Sequence, residues 1–310
     1  MSSRQLSLTS LVIVIRCLNQ VKPNASKRGQ QWAFAYPPPA ADVVAFTDVA
    51  PIPGLGFLPV NAYLVQAEQP LLVDSGLPTS RPDFLQTLWS QIEPADLRWI
   101  YLTHPDRDHT GSLMEILEAA PAARLITTFL GLGILSLEYQ IGLDRIFLLN
   151  PGQSLDLGDR GLTAFRPPVY DSPATTGFYD LRTGTCFTSD CFGSPVASVD
   201  QAGVDDVSEL PADDLLAGQL LWATVDSPWV TSVDRTAFRA SLEPLRQLDP
   251  SVVLCTHLPP AHAATTQLLD TLGTAPDADP FVGPDQAALE KLLAELEPRV
   301  PEPSSSVISV

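Results

Sequence analysis

Basic side chains are scarce in this 310-residue sequence: 18 lysines and arginines stand against 36 aspartates and glutamates, a formal net charge of −18. Such a surface repels phosphate backbones and anionic bilayers, so neither nucleic acid nor a membrane is expected as a partner. Cysteine is equally sparse. The four present, Cys17, Cys186, Cys191 and Cys255, form no CxxC pair, which excludes a zinc ribbon or a disulfide framework and fits a reducing, cytoplasmic setting. Long apolar runs are missing too. The stretch LVIVI from Leu11 to Ile15 is followed directly by Arg16 and by no small-residue cleavage site. Spanning a bilayer takes roughly 20 residues. A glycine-rich phosphate loop is also lacking, since GLGIL at 131–135 does not have the spacing.

What the chain does contain is ample apolar material, 45% of its residues, and 30 prolines that favour loops over long helices. Residues 1–41 read as a flexible leader ending in the run Pro37–Pro39. A folded domain over 42–300 and a frayed tail over 301–310 follow. Alternation predicts a strand near Val43 and then a hairpin in NAYLVQAEQPLLVDSG, turning at Glu68–Pro70 and ending at Asp74. Thr79 or Ser80 is placed to cap a helix whose Phe84, Leu85, Leu88, Trp89 and Ile92 recur at core spacing. Further strands are predicted at Trp99–Leu102 and Arg124–Thr128, with a helical or loop excursion over 129–150. Strand signals return in SLDLGD, GLTAFRPP and TGFYDLRTGTCFTSD, the last with a turn at Asp180–Gly184 and Asp190 at its end.

Residues 193–230 read as an insertion crossing the site, with a helix near Asp213–Trp222. Trp222 and Trp229 line a pocket there or fill core. An amphipathic helix over 235–248, the strand SVVLCT and a helix opening at Asp285 complete the pattern.

The densest chemistry lies in LTHPDRDHTG, residues 102–111, where His104, Asp106, Asp108 and His109 fall within six residues on a strand-to-helix loop. Irregular backbone lets side chains at i, i+2, i+4 and i+5 converge on one point, which strand alternation forbids. The plain alternative is a polar turn in which the two aspartates cap the next helix. Against it, three of only four histidines, at 104, 109 and 257, sit at predicted strand ends, as does Asp190. His262, alone in LPPAHAATT, is an alternative ligand or a solvated loop residue.

In their order and spacing, NAYLV…LLVDSG, THPDRDHTG, FTSD and LCTH resemble the metallo-β-lactamase fold family over roughly residues 42–265. The resemblance implies an α/β architecture, an αββα metallo-β-lactamase sandwich with a binuclear metal site at the sheet edge. It implies one metal on His104 and Asp106, a second on Asp108, His109 and His257, and Asp190 bridging them. Asp74 orients the site from behind the ligands. Arg107 anchors the loop by a salt bridge or attracts an anionic substrate.

Hydrolytic members typically carry HxHxDH, whereas this chain has HxDxDH. A further family histidine has no counterpart between 110 and 256, and Asp171 in VYDSP is the nearest candidate for its place. Oxygen ligands favour iron or manganese over zinc. The resemblance is therefore closer to the flavodiiron and oxygen-binding di-iron branch, with two metal ions, iron favoured. It implies binding or reduction of dioxygen or nitric oxide and an external electron donor of flavodoxin or rubredoxin type. Members of this type often pair head to tail as a homodimer.

A metal-dependent hydrolase acting on an ester, lactone or thioester through a bridging hydroxide is the competing reading. A metal-free binding protein is a third, opposed by the retained His104, Asp108, His109, Asp190 and His257. Cys191 and Cys255 read as small buried side chains rather than ligands.

Overall fold

The computed structural model describes residues 34–35, 39–40, 42–52 and 54–296. Its first sheet runs in chain order through β1 (Phe34–Ala35), β2 (Val43–Ile52), β3 (Gly56–Val65), β4 (Leu71–Val73), β5 (Trp99–Tyr101), β6 (Arg124–Thr127) and β7 (Ile146–Leu148). Pairing is antiparallel from β1 to β4 and parallel from β4 to β7. The second sheet holds β8 (Ser154–Asp156), β9 (Gly161–Phe165), β10 (Gly177–Asp180), β11 (Thr185–Phe187), β12 (Val252–Leu254) and β13 (Ala261–His262), in the spatial order β13-β12-β11-β10-β9-β8. There only β11 and β12 are parallel.

Strand alternation divides the apolar residues among three layers of packing. Tyr63, Val65, Val73, Trp99 and Tyr101 point inward and meet Phe178, Phe187 and Leu254 of the other sheet. The residues between them, Ala62, Leu64, Leu72, Ile100 and Leu102, face outward against α1 (Arg81–Gln91) and α2 (Leu113–Ala119) through Phe84, Leu88, Leu113 and Ile116. On the far side Cys186, Val253 and Cys255 face α5 (Ala212–Asp226), α6 (Arg235–Leu248) and α7 (Thr265–Leu272). The remaining helices are α3 (Phe129–Leu135), α4 (Val199–Ala202) and α8 (Gln286–Leu296). The result is the αββα sandwich expected from the sequence.

Several local expectations are revised. The leader predicted over 1–41 reaches the sheet near its end, where Phe34 and Ala35 pair with Thr47 and Phe46; residues 1–33 and the tail 301–310 lie outside the described residues. Ser80 stands at the N-cap of α1 without capping it, because its hydroxyl donates to the Asp48 carboxylate. The excursion over 129–150 resolves into α3, one 3₁₀ turn and the edge strand β7. In the insertion, α5 continues four residues past Trp222 and ends at Asp226.

Parallel pairing decides where the chemistry gathers. Because β4 and β5 run together, as do β11 and β12, the segments leaving their C-terminal ends carry Asp74, His104, Asp190 and His257 to one edge of the sandwich. Cross-sheet bonds tie that edge together. The Asn61 amide donates to the carbonyls of Cys255 at 3.0 Å and Leu258 at 2.8 Å, and the Tyr63 hydroxyl donates to Cys255 O at 2.7 Å.

Candidate metal centre

The loop after β5 folds back on the turn after β4. Gly111 N donates to Gly76 O at 3.0 Å, and a Cβ at Gly111 would lie 2.1 Å from that oxygen, so only glycine permits the approach. Asp74 adopts φ 58°, a left-handed conformation uncommon for a side-chain-bearing residue, and so does Ser189 at φ 53°, immediately before Asp190. Such strain is held where surrounding contacts over-determine it. For Asp74 those contacts are the Thr103 amide, 2.9 Å from Oδ1, the Thr103 hydroxyl, and the His109 ring, with Nδ1 2.9 Å from Oδ2.

Each site histidine is fixed through Nδ1, so that Nε2 faces inward. The Nδ1 of His257 donates to Pro59 O at 2.8 Å, that of His109 lies against Asp74, and that of His104 lies 3.2 Å from Ser189 Oγ. Outer partners of this kind set tautomer and ring orientation. The three Nε2 atoms meet the two oxygens of Asp190 from opposite sides: Oδ2 is 3.4 Å from His104, while Oδ1 is 3.3 Å from both His109 and His257.

Asp106 and Asp171 join the His104 side, at 3.9 and 3.7 Å from Nε2. Asp108 joins the other, at 3.3 Å from His257 and 3.7 Å from His109. All seven residues singled out as metal ligands are thus brought together. Asp106 and Asp108 face imidazoles rather than the N-terminus of α2, whose N-cap residue Ser112 makes no side-chain cap bond.

The residues fit metal ions. His109 Nε2 and Asp190 Oδ1 are buried and 3.3 Å apart, yet neither makes a hydrogen bond. Buried polar atoms are nearly always paired. Ligand atoms about 2.1 Å from a common ion lie roughly 3–3.5 Å from each other, close to the spacing around Asp190.

Burial would lower the His257 imidazole, but the Asp190 and Asp108 carboxylates overcome it and push the group up to about 10. His109, under the same burial penalty, is raised well above its usual range by Asp190, Asp108 and Asp74. Against a burial penalty of its own, Asp190 is held well below the usual carboxylate range by His257, His109 and His104.

Other residues fall elsewhere. Arg107 turns away from the ligands to Glu138 and to the Tyr139 hydroxyl, a salt bridge that anchors the loop to the excursion over 129–150. His262 is outside the site, held by Asp206 Oδ2 at 2.8 Å on Nδ1 and by Pro39 O at 2.8 Å on Nε2. Cys191 and Cys255 are buried and free, Cys255 accepting from His257 N at 3.3 Å. The Trp222 ring packs edge-on against His257 at 5.0 Å between centroids, and Gly193 permits this, since a Cβ there would meet that ring at 2.4 Å. Trp229 stacks at a tilt on Tyr170 and donates to its carbonyl at 2.8 Å.

Sequence reasoning missed Asp226. Its carboxylate oxygens lie within 4.8 Å of those of Asp171 and Asp190. Burial first, then the charges of Asp190 and Asp171, push it up to about 8. The available signal was helical spacing, for Asp226 follows Trp222 by one turn on the insertion that crosses the site.

Fold and ligand set together define a metal-binding protein of the αββα class. Residues 55–257 match the Metallo-beta-lactamase superfamily, and the chain belongs to it. Over 134 residues it is 32% identical to diflavin flavoprotein A 1 of Synechocystis sp., covering 43% of this chain and 23% of that protein. To the anaerobic nitric oxide reductase flavorubredoxin of Salmonella typhi it is 26% identical over 134 residues, 43% of this chain and 28% of that one. The fold superposes on rubredoxin oxygen:oxidoreductase of Desulfovibrio gigas with a TM-score of 0.63 at 19% identity, covering 73% of this chain and 55% of that one. The chain thus spans about a quarter of the two curated relatives and just over half of the third protein. Among the described residues, no helix is long and apolar enough to cross a membrane.

Proposed function

We propose that this chain holds a pair of iron ions and binds or reduces a small diatomic, dioxygen or nitric oxide, taking electrons from an external flavodoxin- or rubredoxin-type donor. The observation that carries the reading is the division of ligands across Asp190: one imidazole with carboxylates on the Oδ2 side, two imidazoles with Asp108 on the Oδ1 side. An oxygen-rich position favours iron or manganese over zinc. The likeness to a nitric oxide reductase and to an oxygen:oxidoreductase supports the same chemistry. A head-to-tail homodimer belongs to this reading.

His104, Asp106, Asp171 and Asp190 would hold one ion and Asp108, His109, His257 and Asp190 the other, and iron bound there in the ferrous state would supply the two electrons of the reduction. The chain's part is positional. Asp190 sets the separation of the two positions. Asp74, Pro59 O and Ser189 fix the ring planes of His109, His257 and His104. Trp222 packs edge-on against the flank of His257.

Metal content of protein expressed without added metal, read by mass spectrometry with an anaerobic-to-aerobic absorbance scan, tests the proposal. Two irons per chain and an oxygen-dependent visible band are expected. Two zincs with a silent spectrum overturn it in favour of the hydrolase reading.

Three substitutions test the ligands and their support. Asp106→Ala or Asp171→Ala is expected to deplete mainly one of the two metals, and full occupancy in Asp171→Ala would remove that residue from the set. Asp74→Ala, which leaves every ligand in place but frees the His109 ring, is expected to weaken metal binding by about 10–100-fold. Chelator competition measures this, and an unchanged affinity would reduce Asp74 to a folding role.

A further inference from the structure

β3 carries a residue type that strands rarely accept. Asparagine is depleted in β-strands, and a buried side-chain amide is costly unless its hydrogen bonds are made. Asn61 is 2% exposed in the middle of β3, between the apolar Val60 and Ala62. Its bonds are made, and they converge on one place. Oδ1 accepts from the buried Thr47 hydroxyl on β2 at 2.7 Å, which turns the NH₂ group toward the second sheet. The two amide hydrogens then go to Cys255 O at 3.0 Å and Leu258 O at 2.8 Å, carbonyls on either side of His257 in the chain.

The main chain of β3 bonds to the same turn. Asn61 N donates to Thr256 O at 2.8 Å, and Pro59 O accepts from His257 Nδ1 at 2.8 Å. Three of the four carbonyls from Cys255 to Leu258 therefore face β3, while that of His257 accepts from Ser194 N at 2.9 Å. Because β3 and β12 belong to different sheets, these cross-sheet bonds rather than a strand ladder set their register. Cys255 O has a second donor in the Tyr63 hydroxyl. The rings of His104 and His109 are oriented instead by Ser189 and by Asp74.

We propose that Asn61 is a positioning residue of the second metal position, the one built by Asp108, His109, His257 and Asp190. By holding the turn before and after His257, its amide keeps the ring where Nδ1 meets Pro59 O. Nε2 then lies 3.3 Å from an oxygen of Asp108 and of Asp190. The proposal rests on the di-metal reading above and extends it to a residue that acts only through His257. Partners behind a ligating imidazole fix its orientation, and their loss weakens metal binding without removing a ligand. The first position, which takes His104, lies outside this hold.

The test strips the full chain with chelator and titrates it with Zn²⁺, counting ions per chain and ranking their affinities by competition with a chromophoric chelator. Wild type is expected to bind two. In Asn61→Leu, which keeps the branching and removes both donors, one ion should weaken by about tenfold or more while the other is unchanged. Thr47→Val, which only frees the amide, should weaken the same ion by less, and it serves if Asn61→Leu fails to fold. Leu64→Ala, in the same strand but facing the outer helices, should lower the melting point of the stripped protein and move neither affinity. A double substitution isolates the route: once His257→Ala has removed the imidazole, adding Asn61→Leu should change metal binding no further. Unchanged affinities in Asn61→Leu and Thr47→Val overturn the assignment while leaving the metal pair intact. So does a loss that persists in the His257→Ala background, or one equally large in Leu64→Ala. Equal weakening of both ions overturns the restriction to the second position. A wild-type chain that binds fewer than two ions overturns the pair itself and the part of Asn61 with it.

Discussion

Asp190→Ala is expected to remove both metals, taking bound metal from two ions per chain to fewer than one. Its carboxylate faces both halves of the site: Oδ2 lies 3.4 Å from His104 Nε2, and Oδ1 lies 3.3 Å from those of His109 and His257. Without it the first position has one imidazole and the loop carboxylates, the second loses its link to the first, and nothing fixes their separation. The metal-free protein should suffer as well. Removing one partner from a buried charge network leaves the others uncompensated, at about 3–5 kcal/mol. In a domain of this size that corresponds to a melting point lower by roughly 6–20 °C. Asp190→Asn keeps the volume and removes the charge, so it separates the loss of charge from the loss of packing. Metal analysis and calorimetry on the same samples decide the matter, and an Asp190→Ala protein that retains two ions would show that the carboxylate does not bridge.

The second large effect is on pH. In the metal-free chain His257 titrates near 10 and His109 well above its usual range, so both imidazoles carry protons at neutral pH. A metal ion needs the neutral Nε2, and binding must therefore expel those protons. Affinity should rise with pH by one to two decades per unit, between about pH 6 and the upper titration near 10. The metal-free protein has the opposite trend. Each raised imidazole contributes stability that is complete below the unfolded value of about 6.5 and is lost as pH climbs through the folded one. Calorimetric titration in two buffers of different protonation enthalpy counts the protons released at pH 7. Between one and two per second-site ion are expected, and a count of zero would mean the imidazoles are already neutral.

Much of the fold is legible because its signals are local. Tyr63 and Val65 alternate with Ala62 and Leu64, and both sets are apolar since β3 is covered on both faces, by the opposite sheet and by helices. The ligand loop is legible for a related reason: two imidazoles and two carboxylates crowd six residues where a strand has just ended. Short elements were harder to read. The strand Ile146–Leu148 has only three residues, and its identity comes from pairing with Leu125–Thr127 rather than from any period of its own. Ser80 has the residue type and position of a cap, yet the nearby Asp48 carboxylate competes for its hydroxyl.

Sequence by itself determined the strand ends from which the chemistry springs and the candidate ligands His104, Asp106, Asp108, His109, Asp190 and His257, while the αββα class came from the resemblance those motifs carry. Each depends on residue type and near-neighbour spacing, which strand and loop geometry translate directly. Only the tertiary structure decided that Asp171 and Asp226 stand beside Asp190, that Pro59 O, Asp74 and Ser189 aim the imidazoles, and that His262 is held by Asp206 and Pro39 instead. A single carboxylate in a loop or at a helix end has no periodic signature, and a carbonyl acceptor has none in any sequence. Their roles come from chain segments brought together over tens to hundreds of residues, where packing of the two sheets and α5, not local preference, sets the distances.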